Sequence, residues 1–362
     1  MNHRLRTASL LAAASLLLSA DAIGAKLKVP SQYGTIQAAV DAAVAFDIIE
    51  IAAGTYVENV DIELKNDLKI VGDGKVVVDG AGAGDIFFVG NSDAIRIENL
   101  VLKNAARAVH TLSSSKVIVE DVVAKHTTLT ALWFDQGANC RVIDSSVMDA
   151  GAHGIAFTSS IGCHVEETKI ELTGSSGILL SGSQHTIADC EIVDAGHYGL
   201  RFGEGGNAAI GVLVTGSEIE NPTYDGALLT DDSADCSFLG NVFKGGDEGV
   251  TVVQGSEGHL IDDNSFRQMT GNGLELDAMF LTISRNRIKK AGANGVFVKN
   301  DADWGLYHQN KVKKAGFNGI YVGGTGNSFH QNKAKGSGGH DLDDTTAPGQ
   351  NVYSGNSFGT TD

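Results

Sequence analysis

The sequence predicts an all-β chain wound as a right-handed parallel β-helix, closed at its N-terminal end by a short helix. Three observations carry that reading. A small residue followed by an apolar one recurs at Ala108-Val109, Ala131-Leu132, Gly154-Ile155, Gly177-Ile178 and Gly199-Leu200, and again at Gly226-Ala227, Gly249-Val250, Gly273-Leu274, Gly295-Val296 and Gly319-Ile320, at spacings of 22 to 27 residues. A second series keeps the same period: Asn99, Asp121, Ser145, Thr168, Cys190, Ser217, Asn241, Asn264, Asn286, Asn310, Asn332 and Asn356. Around each Asn-like position apolar residues sit three before and two after, as Ile283 and Ile288 do about Asn286, with polar residues between them. That is strand alternation of period two, and a unit of this length holds two or three short strands and no helix. Such units stack as a solenoid in which each strand pairs with its equivalent one turn away. About twelve coils, each advancing about 4.8 Å, make a rod of roughly 55 Å. The repeated Asn is expected to form a side-chain ladder at a bend, and the repeated Gly to supply a turn with unusual backbone angles.

In chain order, Arg4 and Arg6 precede an apolar run from Ala8 to Ala20, with small residues at Ala20, Ala22 and Ala25. This is the pattern of a cleaved secretory signal over residues 1–25, too short to span a bilayer. The expected mature protein, residues 26–362, is then one β-helix domain exported to the periplasm or the cell exterior. Removing Arg4, Arg6 and Asp21 takes the formal charge from −17 to −18. TIQAAVDAAVAF (Thr35 to Phe46) places Ile36, Ala39, Val40, Ala43 and Val44 at helical spacing, suited to covering the open first coil. DIIEIAAGTY enters the first strand, the coils follow, and a last Asn356-x-Phe358 rung ends the pattern. Gly is abundant at 46 residues, Pro scarce at 3, and 42% of residues are apolar, which excludes a disordered Pro-rich chain. The charge of −17 argues against nucleic acid as a partner.

The segment VPSQYGTIQAAVDAAVAFDIIEIAAGTYVENVDI resembles the N-terminal entry of the pectin-lyase-like superfamily, where a TIQ-A-A helix precedes a strand and a GTY-x-E turn, here Gly54-Thr55-Tyr56 and Glu58. Where that family often has Pro-Gly-Asp before the strand, this chain has Ala45-Phe46-Asp47. With its repeats the chain is similar to NosD-like and pectate-lyase-like β-helix proteins. The resemblance implies the fold and a tendency toward acidic polysaccharides, and it implies no particular reaction. The Asp231-Asp232 pair and Arg287-Ile288-Lys289 resemble polygalacturonase fragments, without an accompanying Gly-His-Gly element.

On the strand after each Gly, alternate residues point outward: His110, Trp133 and Asp135, Arg201, Thr230, Glu275 and Asp277, Phe297 and Lys299, and Tyr321. Turn residues add His153, His197, Tyr198, Tyr224, Asp225, Asp247 and Glu248. Flat rings suit sugar faces and charges suit hydroxyls or uronates, so Trp133, His153, His197, Tyr198 and Tyr224 are candidate substrate contacts. Elimination at a uronate needs its carboxylate neutralised and a base for the C5 proton. Asp225, Asp247, Glu275 and Asp277 are the candidate Ca²⁺ ligands. Arg201 or Lys299 is the candidate base, and Asp231 the candidate catalytic carboxylate. Paired carboxylates doing hydrolysis are the alternative, and a solvated outer face is the bland one.

Three positions after the ladder come Lys244, Arg267, Lys289, Lys313 and Lys335, and one position after it Arg287, Lys311 and Lys333. This basic ridge on an acidic rod would hold a polyanionic glycan or simply keep the face soluble. Cys140 and Cys163 occupy equivalent inward positions in adjacent coils, as stacked thiols or a disulfide. His308 and His330 stack without further ligands, a weak metal site. The expectation is an exported β-helix that binds acidic polysaccharide and cleaves or modifies it, with lyase chemistry ahead of hydrolase or epimerase. The alternative is a non-catalytic envelope or accessory rod.

Overall fold

The computed structural model describes residues 24–230 and 232–361, and most of its coils carry three short strands separated by bends. In one coil these are Thr282–Ser284, Arg287–Lys289 and Val296–Val298. Each pairs in parallel with its equivalents above and below: Ser265, Arg287 and Lys311 align, as do Glu275, Phe297 and Tyr321. The coils thus build three sheets, called first, second and third in chain order. The third has fourteen strands, all but one in an unbroken row from Val60–Glu63 to Leu342–Asp344. The first and second run together in the early coils, where single strands such as Asn66–Asp79 and Asp93–Ala105 pass through both. The rod therefore has about fourteen turns rather than a dozen, or roughly 65 Å. The coils before Ala108 lack the small-apolar pair, so the periodic pattern begins late.

The signal segment expected over residues 1–25 lies, up to residue 23, outside the described residues. No helix among the described residues is long and apolar enough to cross a membrane. The capping helix spans Ile36–Ala42, shorter than expected, with Ile36, Ala39 and Val40 buried and Val44 left 68% exposed. The GTY-x-E turn explains itself here. The Glu58 carboxylate accepts the Ile36 backbone N–H at 2.9 Å and that of Gln37 at 3.2 Å, while Thr35 Oγ1 accepts from Ala38 at 3.1 Å. Those are the first donors of a helix, which have no partner within it. The helix stops at Ala43, whose backbone is already extended at φ −68° and ψ 140°, and Asp47 gathers the backbone N–H groups of Ala25 and Val44.

The ladder is present from Asn241 to Asn356 and is complete in its hydrogen bonding. Asn286 Oδ1 accepts the backbone N–H of Asn264 at 3.0 Å and its side-chain amide at 3.1 Å. Asn286 Nδ2 donates to Ile261 O at 2.7 Å and to Asn310 Oδ1 at 3.1 Å. Asn241, Asn264, Asn310 and Asn332 repeat the arrangement. Toward the N-terminus Ser217, Cys190, Thr168 and Ser145 continue the column with single contacts. Two expected members do not belong. Strand register aligns Ser146 with Val123 and Val122 with Leu100, so the column there is apolar Val122 and Leu100. Asn99 and Asp121 stand one residue earlier, at φ 53° and 52°. They share that position with Asp263, Arg285, Gln309 and Gln331, all at φ between 53° and 55°. A short polar residue suits either place, since Asn and Asp tolerate the left-handed region.

The repeated glycine has a different cause from the one expected. At Gly249 a Cβ would lie 2.3 Å from Gly273 O and 2.4 Å from the Phe266 ring, and φ is not positive. Close approach between adjacent coils, rather than backbone angle, requires glycine there. Inward side chains form one continuous core in which like stacks on like, as Phe243 on Phe266 at 5.0 Å and Tyr307 on Phe329 at 4.5 Å. The bend before the first sheet holds a further column that includes Cys140, Cys163, His185, Cys236 and His259. All four cysteines are buried and free. His185 and His259 Nδ1 accept the backbone N–H of Cys163 and Cys236, each at 3.2 Å. Burial pushes both imidazoles down to about 4.

Asn286→Ala would strand the buried Asn264 N–H and the Ile261 carbonyl. Denaturant unfolding should show a loss of about 3 kcal/mol or more. The two buried imidazoles give stability that is present above about pH 6.5 and lost as pH falls toward about 4, because the unfolded chain takes up the protons first. A depression of about 2.5 pH units is worth about 3 kcal/mol for each histidine. The double variant His185→Asn and His259→Asn should flatten the unfolding midpoint over that window, since Asn327 and Asn351 already fill the same corner as acceptors.

Candidate functional site

The outward column of the third sheet runs Phe88, His110, Trp133, Ala156, Leu179, Arg201, Leu228, Thr251, Glu275, Phe297, Tyr321. Alternation along each strand and in-register pairing between coils are sufficient to produce it. Two residues further along their strands, Asp277 and Lys299 point the same way. The bend just before the sheet supplies His153, Ser176, Tyr198, Asp225, Glu248 and Asn272 in successive coils, flanked by His197, Tyr224 and Asp247.

Three groups form on this face. Near the N-terminal end His110 stacks on Trp133 at 4.7 Å and the Arg107 guanidinium lies 4.7 Å from the Trp133 ring centre. Asp85 joins His110 Nδ1 at 2.8 Å and Arg107 at 3.1 Å, and those bonds hold its carboxyl below the usual range although its burial acts the other way. At the centre the coil between Gly199 and Gly226 is 27 residues long, and the added length forms a small hairpin in which Glu204 and Asn207 exchange backbone hydrogen bonds at 3.1 and 3.0 Å. Its glycines 203, 205 and 206 have φ of 84°, 60° and 82°. The hairpin walls a cavity of about 320 Å³ whose floor carries Arg201 and Thr230. Arg201 meets Glu204 at 3.0 Å, and its Nε is buried with no partner among the described residues.

Beside this cavity, half-buried His153 accepts the Ser176 N–H through Nδ1 at 3.3 Å, which leaves Nε2 as a donor. Burial lowers its pKa, so it is neutral near pH 7. Tyr198 and Tyr224 lie 5.7 Å apart, with His197 5.4 Å from Tyr224. Burial raises Tyr198. In the next two coils, buried Asp225 accepts the backbone N–H of half-buried Glu248 at 3.4 Å, and the two carboxyls are neighbours. Burial, then repulsion from Asp225 and Asp247, pushes Glu248 up to about 8, so its carboxyl is largely protonated at neutral pH. Burial raises Asp225 as well. The third group begins at Asn272, which donates to Glu275 at 3.0 Å, and ends on Lys299, which meets Glu275 at 2.6 Å and Asp277 at 3.7 Å.

Trp133, His153, His197, Tyr198, Tyr224 and Arg201 are thus on one face, in neighbouring coils. Other expectations are corrected. Lys299 is not a free base: its hydrogen bond to Glu275 raises its pKa and keeps it an ammonium. Asp225, Asp247, Glu275 and Asp277 do not converge on one cation. Asp247 accepts from Thr270 at 2.8 Å, Glu275 and Asp277 are both ion-paired with Lys299, and no group of three or more His, Cys, Asp or Glu with metal-holding geometry occurs among the described residues. Lys244, Arg267, Lys289 and Lys313 lie on the second sheet, the separate face that their position after the ladder predicts. Asp231 lies outside the described residues. The hairpin wall was signalled by the one spacing of 27 and its Gly-Glu-Gly-Gly run. The protonated Glu248 had no sequence signal, because its proton comes from burial.

A solenoid with an aromatic and charged long face is the class these features define. The chain belongs to the right-handed β-helix family: the family model described as a right handed beta helix region matches residues 84–243 and 176–334. No curated protein matches the chain. Among solved structures it is similar to the A-module of the Azotobacter vinelandii mannuronan C-5 epimerase AlgE4, with a TM-score of 0.64 and 16% identity over 88% of this chain and 95% of that one. It is also similar to the catalytic unit of an α-1,3-glucanase from Streptomyces thermodiastaticus, with a TM-score of 0.58 and 14% identity over 93% of this chain and 69% of the other. The receptor binding domain of the siphovirus 9NA tailspike gives a TM-score of 0.58 and 14% identity over 92% and 73%. At these identities the likeness shows the shared winding alone.

A carbon-13 carboxyl titration should place one glutamate near pH 8 in the intact chain. Asp225→Asn should bring it back toward the ordinary carboxyl range.

Proposed function

We propose that this chain binds acidic polysaccharide along the third sheet and modifies it at the coils between His153 and Glu275. The observation that carries the reading is a cation in a walled cavity, Arg201, with a carboxyl kept protonated two coils further along the same face, Glu248. The guanidinium suits a uronate carboxylate through its planar fork of donors. Tyr198, Tyr224 and Trp133 offer flat faces for sugar rings. Glu248 supplies the proton that a leaving glycosidic oxygen needs, a requirement common to elimination and hydrolysis. Asp225, buried beside it, serves to hold that proton on Glu248 rather than to meet substrate. The solved structures of similar winding include proteins named for mannuronan epimerisation and glucan cleavage, which supports polysaccharide as the substrate class.

The test is turnover of polygalacturonate and alginate, read as ultraviolet absorbance of unsaturated ends and, in parallel, as new reducing ends. Glu248→Gln should lower kcat by about 10²-fold or more with KM little changed, and Arg201→Ala should lose turnover, since the polymer is then no longer held at this face. Because the acid form acts, the rate should fall as pH rises through about 8. Flat traces on both polymers, or turnover indifferent to Arg201→Ala, would leave a rod without a working site on this face and end the proposal.

A further inference from the structure

We infer that the second sheet carries a separate surface for a linear anionic polysaccharide lying along the rod axis, over the coils from Lys244 to Lys335. It uses none of the residues of the third-sheet site. Register aligns Lys244, Arg267, Lys289, Lys313 and Lys335 in one file, and Arg287, Lys311 and Lys333 in another. Between the files the middle residues Phe266, Ile288, Val312 and Ala334 point into the core, so all the cations face one way. Rungs advance about 4.8 Å and the files stand roughly 6.6 Å apart, a regular grid of positive charge. A trough of about 410 Å³ lies among Arg267, Arg287, Lys289, Lys311 and Lys313.

The same files in earlier coils are acidic, with Glu171, Glu191, Glu218 and Glu220 set against Lys169. Lys169 meets Glu171 at 2.7 Å and Glu191 at 3.1 Å, and Lys244 meets Glu220 at 2.7 Å at the junction. Beyond that junction the acids leave these files. Arg287 keeps a partner in Asp263 at 3.2 Å on the bend. Lys289, Lys311, Lys313, Lys333 and Lys335 are exposed and make no ion pair among the described residues. Solubility does not call for them in a chain of formal charge −17. Unpaired like charges held on adjacent rungs repel one another, and a polyanion relieves that repulsion.

The grid's character selects among polyanions. Neither file contains an aromatic ring, which single-stranded nucleic acid uses for stacking, nor an apolar side chain to enter a membrane interface. A polyuronate offers one carboxylate per sugar at a repeat close to the rung spacing, which is what a file of point-charge ammonium groups can meet coil by coil.

The experiment measures binding of size-defined polygalacturonate and alginate fragments by the full chain carrying Arg201→Ala, so that the third sheet does not contribute. Binding should persist, weaken as salt rises, and fall at least tenfold when Lys289→Glu, Lys311→Glu and Lys313→Glu are added. The matching triple change to Arg should stay within about twofold of the parent. Circular dichroism checks that each variant keeps its strands. No binding by the Arg201→Ala chain, or equal binding by the triple Glu variant, would overturn the proposal. So would tighter binding to duplex DNA or to phosphatidylglycerol vesicles than to either polyuronate. The triple Glu variant without Arg201→Ala separates the two faces: turnover retained there leaves the third-sheet reading standing whatever happens to the second.

Discussion

The carboxamide column from Asn241 to Asn356 decides where each coil sits on the next. Each interior Asn gives both amide hydrogens and receives two, from neighbours one coil above and below. A slip of one residue would leave those buried donors and acceptors unmatched, and it would also turn every strand inside out. Because the corner cannot slip, the residues that follow it fall into files. The lysine grid on the second sheet and the mixed column on the third are both products of that one restriction. Where the carboxamides give way to Ser217, Cys190 and Thr168 the contacts are sparser, and long strands shared by two sheets take over the alignment toward the N-terminus.

The winding was legible because burial repeats. Ile, Val and Phe return to equivalent places in coil after coil, and the near-identity of the segments at Asn286 and Asn310 shows the unit directly. The misplaced members of the ladder, Asn99 and Asp121, show where such legibility stops. Two adjacent corner positions both favour short polar residues, one for hydrogen bonding and one for its left-handed backbone, and spacing alone does not separate them. The glycines were legible as a series but not as a cause, since the carbonyl that crowds Gly249 comes from the next coil.

The candidate site was legible as a set of directions and not as a set of energies. Parity placed Trp133, Arg201 and Glu275 on one face, and the structure keeps them there. The partners of Lys299 and the proton on Glu248 depend on what lies one coil away and on how much water reaches it. Those quantities belong to the stack, and no single strand contains them. The division of the sequence-predicted binding residues between two faces was by contrast legible, because one set is counted from the ladder and the other from the glycine, on either side of the bend between Lys289 and Gly295.

The hairpin at residues 203–207 is held outside the rhythm of the coils, and this has a further meaning for how such a rod can change. Gain or loss of a whole coil carries all three sheets along together, so the faces are locked in phase: Arg201 stays two rungs before Arg267's file begins at Lys244, however many coils are added at either end. A new offset between the faces is open only to substitution within a rung. A bend, by contrast, can lengthen without disturbing any pairing above or below it. Loops are therefore where this architecture is free to vary the shape of a cleft, while its sheets hold the charge pattern at a fixed pitch.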